Sequence, residues 1–444
     1  MRSLAFSAAV LAAIVVPGAP LGIGISVVAL CLAATALTTA RRTADLLLFG
    51  TAALALASFP AILDARWVVR VDLLAAWLFA TVAVGGPKLV GPLAPFAALP
   101  SIPALLPDSS SRAVPALRAA LIGTSLAIPF AVLFLTADAA FAAIADSTPR
   151  PALGSLPGRL TAFCVVLLGA LGLALAGKRR LRTRTLLQRR ALALVEWALS
   201  LIVLNVLFLT FVAVQLTVLF GGHDHVLRTS GLTYSEYARQ GFWQLLAAAV
   251  LTLVVVKGAT LFAGPRTRAE RLLLQALLGL LCALTIVIVG SAFHRLRLYE
   301  SAFGLTRLRL TAEAFALWLG GTFALLLLFG ALRRPATFPR AVLAWVAVAL
   351  VAFSIANPDA RIAERNIERW RETGRIDLDY ISKLSADATP ALSRLPAPLR
   401  DEALTEIGEE LSRDEPWSSA NLSRIRARDL LSTPAETGSP SAPR

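Results

Sequence analysis

The sequence predicts an all-α protein: a polytopic transmembrane helical bundle of about eleven spans, followed by a small helical soluble C-terminal extension. Three observations carry this expectation. Of the 444 residues, 57% are hydrophobic and the mean hydropathy is +0.70, whereas a soluble chain of this length keeps a much more polar surface. The apolar residues come in windows of about 17–22 without interior charge, the length a helix needs to cross hydrocarbon. Finally, seven basic residues with no acid among them, Lys178, Arg179, Arg180, Arg182, Arg184, Arg189 and Arg190, separate two apolar stretches. Short loops rich in Lys and Arg stay cytoplasmic, so this run anchors the topology.

The candidate spans are 4–16, 20–38, 45–63, 71–86, 116–136, 159–176, 192–219, 242–262, 272–293, 312–332 and 339–356. The first is the shortest and follows Met1-Arg2-Ser3 like a signal peptide, but the next apolar run begins at once, which favours a retained first helix. Pro17-Gly18-Ala19-Pro20 turns the chain between the first two spans. Seven prolines between Pro87 and Pro115 exclude continuous helix there and suggest an irregular interfacial segment.

With 178–190 inside, alternation puts the loops at 39–44, 87–115, 263–271 and 333–338 inside as well, and their charges fit: Arg41 and Arg42; Lys88 and Arg112; Arg266, Arg268 and Arg271 against Glu270; Arg333 and Arg334. The loops at 64–70 and 137–158 fall outside and carry mixed charge. The N-terminus is then cytoplasmic and the C-terminus extracytoplasmic. One loop dissents: 294–311 carries Arg295, Arg297, Arg307 and Arg309 against Glu300, yet falls outside. Either these arginines pack into the protein or the span count is off by one.

After the last span the chain changes character. Asn357-Pro358-Asp359 reads as a helix start, with Asn as N-cap, Pro at the first helical position and an acid at the positive helix end. Ala363, Ile367 and Trp370 form one apolar stripe, and Gly374 ends the helix. Short helices are expected at 378–384, 386–395, 398–413 and 418–431. The domains expected are therefore 1–115 (N-terminal helices and the Pro-rich interfacial loop), 116–356 (core transmembrane domain), 357–431 (helical extracytoplasmic appendage) and 432–444 (disordered tail, rich in Ser, Pro and Thr). The appendage is too small for stability alone and is expected to dock on the membrane domain.

The net charge of +15 would suggest nucleic acid in a soluble protein. Here much of the excess lies in short loops beside apolar segments, so the partner implied is the lipid bilayer, with other membrane proteins as further partners and no nucleic acid. Basic residues are mostly Arg and Ala is abundant, the composition of a GC-rich bacterial genome. Cys31, Cys164 and Cys282 all lie inside apolar windows and read as buried thiols.

Four polar clusters are the candidate functional residues. Glu196, Asn205 and Gln215 share one span, with Glu313 in a later one; charges within a span are costly and often functional. At 100° per residue the first three do not form one stripe, so helix-packing hydrogen bonds are the favoured reading over a proton or ion path. His223, His225 and His294 fall at outer span ends, where zinc with Glu236 or Glu300 is one reading and ordinary loop contacts the other. Tyr234, Glu236, Tyr237 and Arg239 lie in an aromatic stretch suited to headgroup depth, as an interfacial anchor or a binding site. Arg297, Tyr299, Glu300, Arg307 and Arg309 crowd 294–311, where Arg309 and Glu313 would be i, i+4 partners on a helix and salt bridges to the appendage are expected.

The sequence holds no Walker loop, dinucleotide Gly pattern, HExxH, nucleophile elbow or CxxC. No catalytic residue and no cofactor is predicted. The stretches GLTYSEYARQGFWQLL (231–246), RLRLYESAFGLTRLRL (295–310), NPDARIAERNIERW (357–370), DLDYISKLSADATPAL (377–392) and WSSANLSRIRA (417–427) are familiar in this order. Across roughly residues 115–430 the chain resembles a bacterial integral-membrane family, domain of unknown function 4173 or its close neighbour 4153. The resemblance implies a polytopic membrane protein with a helical C-terminal extension, and brings no activity or catalytic residues.

Because the polar residues cluster at the outer interface rather than along a midplane path, the function expected is that of a non-enzymatic sensor or scaffold with an extracytoplasmic cap. The cap would gather the 231–241 stretch, the 294–311 loop and the appendage. Two rival classes stand beside it. One is a secondary transporter or channel-like protein using Glu196 and Gln215; the other is a membrane-embedded metal-dependent enzyme using the outer histidines.

Overall fold

A computed structural model describes residues 9–12, 20–37, 44–85, 194–220, 242–263, 265–332 and 337–432. Every regular element among them is a helix. The expected spans at 116–136 and 159–176, most of 4–16, the Pro-rich loop and the basic run at 178–190 lie outside the described residues, as does the tail from 433. Among the described residues, five helices are long and apolar enough to cross a membrane: Ala44–Ala61, Arg66–Val84, Arg268–Phe303, Arg307–Ala331 and Phe338–Ile355. Shorter apolar helices at Ile23–Ala34, Trp197–Ala213 and Ala248–Thr260 match three more of the expected positions.

The chain forms two compact units. The first comprises 1–182, 385–387 and 407–444; the second 183–384 and 388–406. In the first, α1 (Ile23–Leu37), α2 (Ala44–Ser58, extended by a 3-10 turn at Phe59–Ala61) and α3 (Arg66–Gly85) pack side by side. Phe49 and Phe79 stack with centroids 6.1 Å apart, and Ser26 Oγ donates to Ala57 O at 2.8 Å, satisfying a buried hydroxyl. Outward, Leu47, Val71 and Leu74 are exposed apolar side chains on these helices, an arrangement suited to lipid and adverse in water.

The second unit is built on α6 (Arg268–Phe303) and α7 (Arg307–Ala331), a helical hairpin joined by Gly304-Leu305-Thr306. Helices α4 (Leu194–Phe220) and α5 (Phe242–Phe262) pack on α6, and α8 (Phe338–Ile355) packs on α7. Leu281, Ala292, Ala316, Leu319 and Phe323 are fully buried in the resulting core. Thr267 starts α6 by accepting from Glu270 N, while the Glu270 carboxylate accepts from Arg266 N at 2.7 Å, a reciprocal cap. Gly321 has no Cβ because the Trp345 ring of α8 lies there, and Trp345 Nε1 donates to Trp318 O at 2.9 Å.

Two expectations are corrected. The stretch 294–311 is not a loop: α6 runs on to Phe303 and α7 begins at Arg307. No helix breaker stands between Phe293 and Gly304, so the charged residues extend the helix beyond its apolar part. At 1.5 Å per residue, 36 residues give a rod of about 54 Å, against roughly 30 Å of hydrocarbon. The other correction concerns Asn357, which precedes Pro358 as expected but adopts φ 48° and makes no side-chain cap bond; Asn tolerates this left-handed conformation better than most residues.

Beyond α8, the chain of the second unit continues through α9 (Pro358–Thr373), α10 (Leu378–Ser382) and α11 (Thr389–Leu392) into the first ten residues of α12 (Ala397–Leu411). Gly374 ends α9 at φ 69°. In the first unit, a 3-10 turn at Trp417–Ser419 precedes α13 (Leu422–Ser432).

Candidate functional site

The hairpin end of α6 and α7 meets α9, and the charged residues of 294–313 converge there. Pro358, Asp359, Ile362, Ala363 and Ile367 make the buried face of α9. Asp359 is fully buried, which would be prohibitive for an unpaired carboxylate. Its partner is Arg307, whose Nε reaches Oδ1 at 3.0 Å and Nη2 reaches Oδ2 at 2.6 Å. This two-pronged geometry is what guanidinium and carboxylate favour. Arg307 thus makes the bond to an appendage acid that was expected of it or of Arg309. Its backbone N–H also donates to Tyr380 Oη at 2.7 Å, and burial pushes the Tyr380 phenol up from its ordinary range, partly offset by Arg307.

Asn366 reads the hairpin turn through its backbone. Its Nδ2 donates to Leu305 O at 2.8 Å and its Oδ1 accepts from Leu305 N at 3.3 Å. Gly304 sits at φ 80°, and a side chain there would run into Asn366, so both its conformation and its neighbour call for glycine. Arg369 donates to Ala302 O at 2.6 Å and Ser301 O at 3.2 Å, covering the last carbonyls of α6 with positive charge.

The arginine–glutamate pairing differs from expectation. Glu313 pairs with Arg297 at 3.0 Å rather than with Arg309. The Arg309 guanidinium lies 4.4 Å from the Tyr299 ring centroid and donates to Phe303 O at 3.2 Å and to Gly304 O. Arg295 also has a partner. The arginines of this stretch are thus tied to neighbouring groups while staying half-buried or, for Arg297, exposed.

Between these helices lies a cavity of about 250 Å³ lined by charges of both signs, among them Arg297, Glu300, Glu313, Arg361, Arg365 and Glu372. On α9 the lining positions 361, 365, 368, 369 and 372 recur every three to four residues, one helix face. Glu300 Oε1 is buried without a hydrogen-bond partner among the described residues.

Of the remaining candidates, Asn205 is buried and donates Nδ2 to Leu201 O at 2.8 Å and to Leu277 O of α6 at 3.1 Å, the helix-packing reading. Glu196 and Gln215 belong to α4, but their side chains lie outside the described part. Tyr234, Glu236, Tyr237, Arg239, His223 and His225 lie outside the described residues altogether. His294 is exposed on α6, and no group of three or more His, Cys, Asp or Glu among the described residues is placed to hold a metal ion.

Sequence reasoning missed a second polar cluster, in the first unit. Arg424 is 2% exposed; its Nε donates to Asp64 Oδ1 at 2.6 Å, and its Nη1 to Glu415 Oε2 and Ser419 O, both at 3.2 Å. Asp387 accepts from the backbone N–H of Asp64 at 2.9 Å and of Ala65 at 2.7 Å, ahead of α3, while Asp64 accepts from Ala386 N at 3.2 Å. Ser385 and Ser423 donate to the same Asp387 carboxylate, yet burial still holds its pKa above the ordinary value. Asp359, Asn366, Asp387 and Arg424 all lie within the stretches 357–370, 377–392 and 417–427 that carried the resemblance. That was the available signal.

Neither a curated protein nor a solved structure matches the chain. Residues 5–395 match the family described as Domain of unknown function (DUF4153), the second of the two neighbours that the motifs suggest, and the match includes the first hundred residues, which the motifs do not cover. The hairpin corner and its helical extension thus belong to a chain that is a member of the DUF4153 family.

Proposed function

We propose that this is a multi-pass membrane protein of the cell envelope acting as a non-enzymatic sensor or scaffold, with a cytoplasmic N-terminus and an extracytoplasmic appendage. The observation that carries the reading is the gathering of charged residues at the α6–α7–α9 corner around an open cavity, while the core among α4, α5, α6 and α7 is apolar. A polar path along the midplane, as transport requires, is not what Asn205 Nδ2 serves, since it donates to two helix carbonyls.

The packing within each unit fits this topology. Alternation puts 64–70, 294–311 and the appendage on the outer side. In the first unit the turn at 62–65 is held by Asp387, Asn421 and Ser423 of the appendage. In the second, the 304–306 turn is held by Asn366 and Arg307 is clasped by Asp359.

Thiol labelling in intact cells tests the reading. Arg361→Cys, at the cavity rim, is expected to react with a membrane-impermeant maleimide added outside, and Asn205→Cys to stay unreacted. Reaction at 205 from water would favour a transport path. Reaction at 361 only after the cells are opened would reverse the proposed orientation.

A further inference from the structure

The last helix of the appendage buries one arginine and leaves several large apolar side chains exposed. In α13 and the turn before it, the largest buried side chain is that of Arg424, at 2% exposure, while Trp417 (67%), Ile425 (48%), Leu430 (45%) and Leu422 (39%) face outward. A helix on a water-facing appendage buries its large apolar residues, whereas α13 leaves Leu422, Ile425 and Leu430 exposed alongside Arg426, Arg428 and Asp429. The burial of Arg424 is built in rather than incidental. Asn421 Oδ1 accepts from Arg424 N at 2.8 Å at the start of α13, and Asp64 with Glu415 neutralises Arg424 inside. This fixes the rotation of the helix and turns its large apolar residues out.

The place where this helix is held indicates what covers them. The Ser423 N–H donates to Ile62 O at 3.1 Å, and its Oγ lies 2.9 Å from the same oxygen. Ile62 follows the candidate membrane helix Ala44–Ala61, and the next one begins at Arg66. Ile23 N, at the start of α1, donates to Ala420 O at 3.0 Å, and Gly22 lies so close to Ser419 that no side chain fits. The segment 417–425 is therefore seated on the ends of three apolar helices, where a bilayer passes from acyl chains to headgroups. Ile62 is itself 40% exposed, and on the helices below it Leu47 and Leu74 face outward at 70% and 62%. Arg426 is exposed among the outward residues, the arrangement by which a long basic side chain reaches phosphates from an apolar face.

We infer that Trp417 and the outward face of α13 are seated in the outer lipid interface, with Trp417, Leu422 and Ile425 at the headgroup–acyl boundary and Arg426 among the phosphates. Tryptophan is the side chain best suited to that depth, and a helix of 11 residues with exposed apolar and basic side chains is too short to cross the bilayer and suited to its interface. The appendage is then a clamp that closes the outer ends of α1, α2 and α3 and rests on lipid.

Site-directed spin labelling of the full chain, with Cys31, Cys164 and Cys282 replaced by Ala and the protein reconstituted in phosphatidylethanolamine–phosphatidylglycerol vesicles, tests this. Single cysteines at Leu422, Ile425 and Arg413 are compared with one at Leu47. The expected result is collision with oxygen in preference to a water-soluble nickel chelate at 422 and 425, as at 47, and the reverse preference at 413. The inference rests on the membrane reading, and the 47 label separates the two: water contact there sinks that reading, whereas lipid contact at 47 with nickel preference at 422 and 425 overturns the inference alone. Labels at 422 and 425 that neither reagent reaches would mean that protein covers the face, and would also overturn it.

Discussion

Arg307 shows what a single residue does in this fold. It stands at the start of α7 and compensates a fully buried carboxylate, Asp359, with two parallel hydrogen bonds. Removing one member of a buried pair strands the other, at about 3–5 kcal/mol; part of Arg307 is exposed, so the lower end applies. Arg307→Ala is expected to lower stability by about 3 kcal/mol in chemical unfolding of the detergent-solubilised protein. Arg307→Ala with Asp359→Asn is expected to recover much of it, and a double variant no better than the single one argues against the pairing. Asp387 supplies a pH test. Burial raises its pKa in the folded state above the ordinary 3.8, so the folded protein holds this proton to higher pH than the unfolded chain. Stability is accordingly lost as pH rises from the ordinary Asp range through the raised value. Comparing unfolding midpoints across that range, Asp387→Asn is expected to show a smaller fall with rising pH than the parent; equal slopes contradict the assignment. At this scale the sequence revealed that Arg307 or Arg309 meets an appendage acid. It did not reveal that Arg297, from the preceding helix, takes Glu313 and frees Arg309 to lie against Tyr299, because spacing along one helix says nothing about a neighbour.

Helices were the most legible elements. Apolar windows located α1, α2 and α4 to α8 well, and Pro358 and Gly374 mark the ends of α9 as expected. What misled was charge. The arginines of 294–303 signal a loop in a membrane protein, but nothing there breaks a helix, so α6 simply outruns its apolar part. Helix-to-helix fit was not legible at all. Gly321 is one glycine in an apolar run, yet it is where the Trp345 ring of α8 meets α7. Gly321→Val is expected to displace that ring and cost about 1–3 kcal/mol, as overpacking does, read as a lower thermal midpoint. Gly330→Val is the control, since among the described residues nothing lies within 4 Å of a Cβ at that position. If both substitutions act alike, the α7–α8 contact is not what glycine serves.

For the whole molecule, the composition announced a membrane-length helical protein, and the five long apolar helices agree. The return of the C-terminal segment to the first helices was hidden, since Arg424 and Asp64 are 360 positions apart and no periodicity links residues at such range. Within the first unit Asp387 and Ser423 are bonded to the 62–65 turn, and within the second Asn366 is bonded to the 304–306 turn; the alternation from the 178–190 run assigns each of these turns to the outer side. The central claim is that the polar corner and the appendage are extracytoplasmic. The most direct test fuses a reporter that is active only outside the cytoplasm after residue 400 and, separately, after residue 190. Activity at 400 with silence at 190 is the predicted result. Silence at 400, or activity at 190, would contradict it.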